Sequence, residues 1–372
     1  MSLRIISADC HVNEPPHVFD HVPAALRSRV PKMRRGADGG DGWSFDGGPP
    51  KRTLGIEATA GQVGDVKKLS GLRFDEILPG NYDGAAHVLD MDRDGVDVSV
   101  VYPANAIFVY IEPDRELGLA CLRSYNDWIL GEFQSANRDR LIGLPMLPVD
   151  DGADVCIAEL DRCLGNGARA AFIPGNPARP YHDRYYDPLF ARAAEAGVAL
   201  TFHRTFGGKP SDADWDELVA QNITAGGTVY RFFSAVRPFT YMVLGGVFAR
   251  HPALQIVAAE VNFGWLPFWA QTMEQNVDVR SAMHDPSVAS TLRPTEYLGR
   301  NLFVTVLDDQ VGFDLVAAHP YLADTAMFSS DYPHSVTLWP NSAQHAKTLT
   351  ANLPPDAAHK ILSGNAVRVY GV

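Results

Sequence analysis

Paired cysteines are missing from this chain. Its four thiols, Cys10, Cys121, Cys156 and Cys163, form no C-x-x-C spacing, and they suggest reduced thiols in a cytoplasmic setting rather than a disulfide framework. Positive charge is short as well: 32 Lys and Arg stand against 44 Asp and Glu, a formal net charge of -12. That excess of acid argues against nucleic acid or an anionic membrane as the main partner. No apolar run approaches the roughly 20 residues of a membrane span, and no short solenoid-type repeat recurs. The Met1-Ser2-Leu3-Arg4 start is read without a signal peptide. A glycine-rich phosphate loop is also absent after the first apolar run, where Asp9-Cys10-His11-Val12-Asn13-Glu14 stands instead. This weighs against an open, doubly wound nucleotide-binding sheet.

What remains is a chain of 372 residues, 46% hydrophobic and 20% charged, long enough for one barrel-sized domain with insertions or for two ordinary domains. Apolar runs of strand length alternate with stretches of helical spacing. The strand candidates are the run ending at Asp9 and His11, Val96–Tyr102, Leu141–Leu147, Ala168–Ile173, Val198–His203, Leu254–Ala259, Leu302–Leu307 and Thr325–Ser329. Helical spacing is read over His17–Val30, Ala86–Asp94, Arg115–Asn137, Val155–Gly165, Pro188–Ala196, Thr228–Arg250 and Leu266–Arg280. Strands that alternate with helices imply parallel pairing and right-handed crossovers. Eight such units favour a single α/β domain over residues 1–372, a closed (β/α)8 TIM barrel.

Residues 31–85 break the rhythm. Gly39-Gly40, Gly47-Gly48 and Pro49-Pro50 are turn chemistry, with Trp43-Ser44-Phe45 between them as one strand of a small hairpin. This excursion after the first strand is read as a lid or cap, with Trp43 and Phe45 over the pocket mouth.

In a parallel barrel the C-terminal strand ends form one rim, and active sites sit there. Asp9 and His11 are two apart and project to the same side of the first strand; Glu14 follows before Pro15-Pro16. His203 ends the fifth strand, Glu260 follows the sixth, and Asp331 follows the eighth. Histidines and carboxylates gathered on one rim suit one divalent cation, Zn2+ first and Mn2+ as the alternative. Arg204, beside His203, has the fork geometry to grip a substrate carboxylate.

The blocks Ala8-Asp9-Cys10-His11-Val12-Asn13-Glu14-Pro15, Asp90–Asp97, Phe202-His203, Arg250–Leu254, Gly264-Trp265-Leu266-Pro267, Ser330-Asp331-Tyr332-Pro333-His334 and Ile361–Ala366 resemble the amidohydrolase superfamily, in its amidohydrolase-related, aminocarboxymuconate-semialdehyde-decarboxylase-like branch. The resemblance implies a distorted barrel with a metal at the strand ends. Its first-strand pair falls on Asp9 and His11, its fifth-strand histidine on His203 and its last-strand aspartate on Asp331. Glu14 is a ligand or supports one. The lysine of the dinuclear branches has no counterpart in Ala168-Arg169-Ala170-Ala171-Phe172-Ile173, so one metal is expected. Decarboxylases of this branch carry a histidine on the sixth strand, where this chain has Glu260.

That departure sets the functional expectation. The first reading is hydrolysis of a small-molecule amide, lactone or related bond by a water the metal activates. Asp331 then accepts the water's proton, and Glu260 or His334 serves the leaving group. The alternative is non-oxidative decarboxylation of an aromatic or unsaturated carboxylic acid. The assembly expected is a homo-oligomer, a dimer.

Overall fold

The strand sequences explain their own burial. Val98-Ser99-Val100-Val101-Tyr102 and Leu302-Phe303-Val304-Thr305-Val306 are buried at every position, the continuous apolar pattern of parallel strands covered on both faces. In the computed structural model, which describes residues 4–62, 67–204, 207–208, 225–280 and 292–372, all eight strand candidates contain a strand. They are β1 (Ile6–His11), β4 (Val98–Tyr102), β5 (Leu141–Gly143), β6 (Ala170–Phe172), β7 (Ala199–His203), β8 (Ile256–Ala259), β9 (Leu302–Val306) and β10 (Ala326–Phe328), with the hairpin β2 (Lys32–Arg35) and β3 (Asp41–Ser44) between the first two.

Every pairing among the eight is parallel. They do not form one continuous ladder, as a closed barrel would. A three-stranded sheet runs β1-β4-β5 and a five-stranded sheet runs β10-β9-β8-β7-β6. Short bridges cross the two seams. At one, Phe172 N donates to Pro145 O (2.8 Å) and Leu147 N to Phe172 O (2.9 Å); at the other, His11 N donates to Tyr332 O (2.7 Å) and Asp331 N to Asp9 O (3.1 Å). The second seam lies at the strand ends that carry the polar residues. Within β1 the pairing to β4 slips between Ser7 and Cys10, a bulge of the kind that re-aims side chains.

Local chemistry sets the connections. The helix Gly84–Asp94 starts where the Asp83 side chain accepts Ala86 N, and stops at Gly95 in the left-handed region, φ 72. Two expectations change. His17–Val30 is a chain of turns, not a helix: Val18 N bonds to Pro15 O, Asp20 N to His17 O and Leu26 N to Pro23 O. Pro23 interrupts any longer ladder because it has no N–H to give. Thr228–Arg250 is divided among helices Ala225–Arg231, Val236–Leu244 and Val247–Arg250, the last break falling at Gly245 and Gly246, with φ 70 at Gly246.

Residues 31–85, apart from 63–66 which lie outside the described residues, form the antiparallel β2–β3 hairpin and a small apolar cluster of Leu54, Ala58, Leu72 and Ile77. The excursion is tied to strand-end residues. Thr59 N and Ala60 N donate to Pro333 O at 3.0 and 3.1 Å, Thr59 Oγ1 to His334 O at 2.9 Å, and Asn13 Nδ2 to Glu57 O at 2.8 Å. All four cysteines are free and buried. Among the described residues no helix is long and apolar enough to cross a membrane.

Candidate active site

β1 ends by delivering Asp9 and His11 to one point, as the two-residue spacing requires. His203 arrives from the end of β7, and Asp331 from the turn after β10. One nitrogen or oxygen from each of these four side chains lies within 4.8 Å of all the others, and all four residues are buried. His11 Nε2 is 3.1 Å from His203 Nε2 and 3.3 Å from both Asp9 Oδ1 and Asp331 Oδ1. His203 Nε2 is 3.5 Å from Asp9 Oδ1 and 3.3 Å from Glu260 Oε2. Asp9 Oδ1 and both Asp331 oxygens accept no hydrogen bond. Buried carboxylate oxygens without a donor are costly unless a cation meets them.

Two imidazoles and two carboxylates fit one divalent metal ion. The buried charge agrees, because Asp9 and Asp331 place two carboxylates beside the two imidazoles.

The backbone is bent to make this arrangement. Among the described residues four non-glycine positions have positive φ: Arg204 (44), Glu260 (55), Asn262 (55) and Asp331 (46). All follow strand ends, and three carry site side chains. Such conformations cost on the order of 1–3 kcal/mol each and persist at functional sites.

The charges shape each other. Without a cation, burial pulls the His11 imidazole down but Asp331 and Asp9 outweigh it and raise it to about 10; a bound ion would take that proton's place. Burial pushes Asp331 up, yet His334 and His11 keep its carboxyl well below the usual range; Asp9 is likewise held low by His203 and His11 against its burial. Glu260 goes the other way, raised to about 7 by burial and then by the charge on Asp331. The His334 ring stacks on His11 at 3.8 Å between centroids, with Nδ1 3.0 Å from Asp331 Oδ1; burial lowers its pKa.

Three residues singled out from sequence sit elsewhere or do something else. Glu14 is outside the four-residue cluster: its carboxylate accepts the N–H groups of Ala104, Asn105 and Ala106 at 2.9, 2.9 and 3.1 Å, closing the turn after β4. Arg204 is buried, with Nη2 on Glu260 Oε1 and Nε donating to Glu260 O at 2.9 Å, and Phe232 covers it at 4.5 Å. Its fork holds a carboxylate of the protein itself. Trp43 packs edge-on against Phe19 at 5.3 Å and is 6% exposed, while Phe45 leans on Phe108.

Other contributors were silent in the sequence. Tyr102 floors the site, 5.8 and 5.4 Å by ring centroid from His11 and His203, with its hydroxyl 2.6 Å from Thr201 Oγ1. Thr305, inside β9, bonds both Asp9 and Glu260. A tyrosine or threonine inside a strand is ordinary β composition, so nothing marked either one.

Residues 73–372 match the family model described as Amidohydrolase. The chain is 27% identical over 248 residues to a 2-amino-3-carboxymuconate-6-semialdehyde decarboxylase of Dictyostelium discoideum. That match takes in 65% of this chain and 64% of the relative, so the chain spans just under two thirds of the length of the curated relative it matches. Among solved structures, an amidohydrolase from Mycobacterium avium subsp. paratuberculosis K-10 superposes with a TM-score of 0.76 at 20% identity, covering 100% of both chains. A 5-carboxyvanillate decarboxylase from Novosphingobium aromaticivorans, solved with bound manganese, superposes with a TM-score of 0.67 at 15% identity, covering 100% of this chain and 98% of that one.

Proposed function

The chain belongs to the amidohydrolase family, in its aminocarboxymuconate-semialdehyde-decarboxylase-like branch, and from that membership we propose that it is a metal-dependent carboxy-lyase that removes carbon dioxide from a small aromatic or unsaturated carboxylic acid. The observation that carries this reading is Glu260, whose Oε2 lies 3.3 Å from His203 Nε2 while Arg204 holds Oε1. Its pKa near about 7 lets it hold a proton at neutral pH and release it, as a general acid must.

Asp9, His11, His203 and Asp331 are the residues that would hold the cation. Bound there, a divalent ion would supply Lewis-acid charge to the substrate's carboxylate. Manganese, bound in the Novosphingobium decarboxylase, is preferred here to zinc. Breaking the carbon–carboxylate bond leaves the electron pair on carbon, and Glu260 delivers a proton to that carbon. The balance is one carboxylate and one proton in, one C–H bond and one carbon dioxide out, with solvent returning the proton to Glu260. The two sheets then act as a distorted (β/α)8 barrel, and residues 31–85 cover the substrate over its strand ends.

This reverses the order taken from sequence, in which hydrolysis came first because Glu260 replaces the expected histidine. The relatives named as decarboxylases support the reversal. The test is mass spectrometry on manganese-loaded protein with hydroxybenzoates, unsaturated carboxylic acids, lactones and amides. A product lighter by one carbon dioxide is expected; a product heavier by one water overturns the assignment.

A further inference from the structure

Thr305 is fully buried on β9, and its hydroxyl touches two acids of the site. Glu260 N donates to Thr305 Oγ1 at 2.7 Å, and Thr305 Oγ1 donates to Asp9 Oδ2 at 3.2 Å. The direction is fixed by chemistry. An amide N–H can only donate, so the hydroxyl oxygen accepts there and its one proton is left for the carboxylate. Asp9 Oδ2 is thereby engaged, and the other oxygen, Oδ1, faces His11 Nε2 at 3.3 Å and His203 Nε2 at 3.5 Å. The same hydroxyl gives the Glu260 N–H its partner at a residue with φ 55, a conformation that needs support from its surroundings.

We propose that Thr305 is the positioning residue of the metal centre: through one hydroxyl it orients Asp9 to present Oδ1 alone to the cation and fixes Glu260 beside it. This rests on reading Asp9, His11, His203 and Asp331 as the metal site. Hydrogen bonds to a ligating carboxylate set its orientation and its basicity, and losing one weakens metal binding by about 10- to 100-fold. Thr305 touches none of the reacting atoms, so its effect passes through Asp9 and Glu260.

The experiment titrates Mn2+ into metal-free wild-type protein, Thr305→Val, Thr305→Ala and Thr305→Ser by calorimetry, and records the Mn2+ electron paramagnetic resonance spectrum of each complex. Valine keeps the shape and removes the hydroxyl; alanine serves if the valine variant does not fold; serine restores the hydroxyl. Expected are a Kd raised about tenfold or more in the variants without a hydroxyl, an altered Mn2+ spectrum, and recovery of both in Thr305→Ser. A folded Thr305→Val or Thr305→Ala with wild-type Kd and spectrum overturns the proposal, and so does Thr305→Ser binding as weakly as they do. Wild-type protein that binds no Mn2+ overturns the metal reading itself, a failure distinct from equal binding by all variants.

Discussion

At Glu260 the two carboxylate oxygens face different partners, Arg204 on one side and His203 on the other. If this side chain delivers the proton to carbon, Glu260→Gln removes the transferable proton while keeping the shape, and carbon dioxide release should slow by about a hundredfold or more. The sign of the pH effect follows. Glu260 works in its protonated form, which predominates below about 7, so kcat should fall as pH rises through that value and level off below it. A rate that climbs through neutrality would point to a base instead. Asp331→Asn removes an anionic oxygen from the cluster, and elemental analysis should find the metal content per chain sharply reduced. Legibility at this scale was uneven. Asp9, His11 and His203 could be read because each closes an apolar strand. Glu14 was misplaced because a carboxylate that caps backbone N–H groups looks, in sequence, like one that binds a cation. Arg204 was taken for a substrate clamp because its partner lies 56 residues away.

The strands form the framework, and residues 31–85 are the proposed cover. The strands were legible because buried parallel strands are written as unbroken apolar runs. The turns after Pro15-Pro16 were not, since Val18, Phe19 and Val22 mimic helical spacing while Pro23 denies the ladder. The hairpin of the excursion was legible from its glycines; its anchoring through Thr59 and Ala60 to Pro333 was not, because pairings across so long a separation leave no local trace. Gly42, in β3, tests the covering role. A Cβ there would fall onto the Arg52 carbonyl oxygen and within 2.8 Å of Pro50 Cβ, so Gly42→Ala must displace the hairpin. KM should rise several-fold while Mn2+ affinity stays at the wild-type value. Unchanged KM would detach residues 31–85 from substrate binding.

Across the whole molecule the four candidate ligands straddle a seam. Asp9 and His11 belong to the three-stranded sheet, whereas His203 ends β7 and Asp331 follows β10, both of the five-stranded sheet. A cation held by all four therefore ties the two sheets together and relieves the repulsion among buried carboxylates. Chelation should lower Tm in scanning calorimetry and Mn2+ should restore it, with about 2.7 kcal/mol of stabilisation at a hundredfold excess over Kd. Counting eight strand–helix units was enough to expect parallel pairing; it did not reveal the division into three and five, because only short bridges join β5 to β6 and β1 to β10. The buried thiols offer a way to watch that division. Burial raises the pKa of all four, so the native protein should be silent toward a thiol-trapping reagent. Cys10 lies on β1, Cys121 on the helix after β4, and Cys156 and Cys163 on the helix after β5. Pulse labelling during denaturation, read by peptide mass, would thus act as a clock with hands in different parts of the fold. If metal is the clasp between the sheets, its removal should speed the labelling of Cys10 ahead of the others.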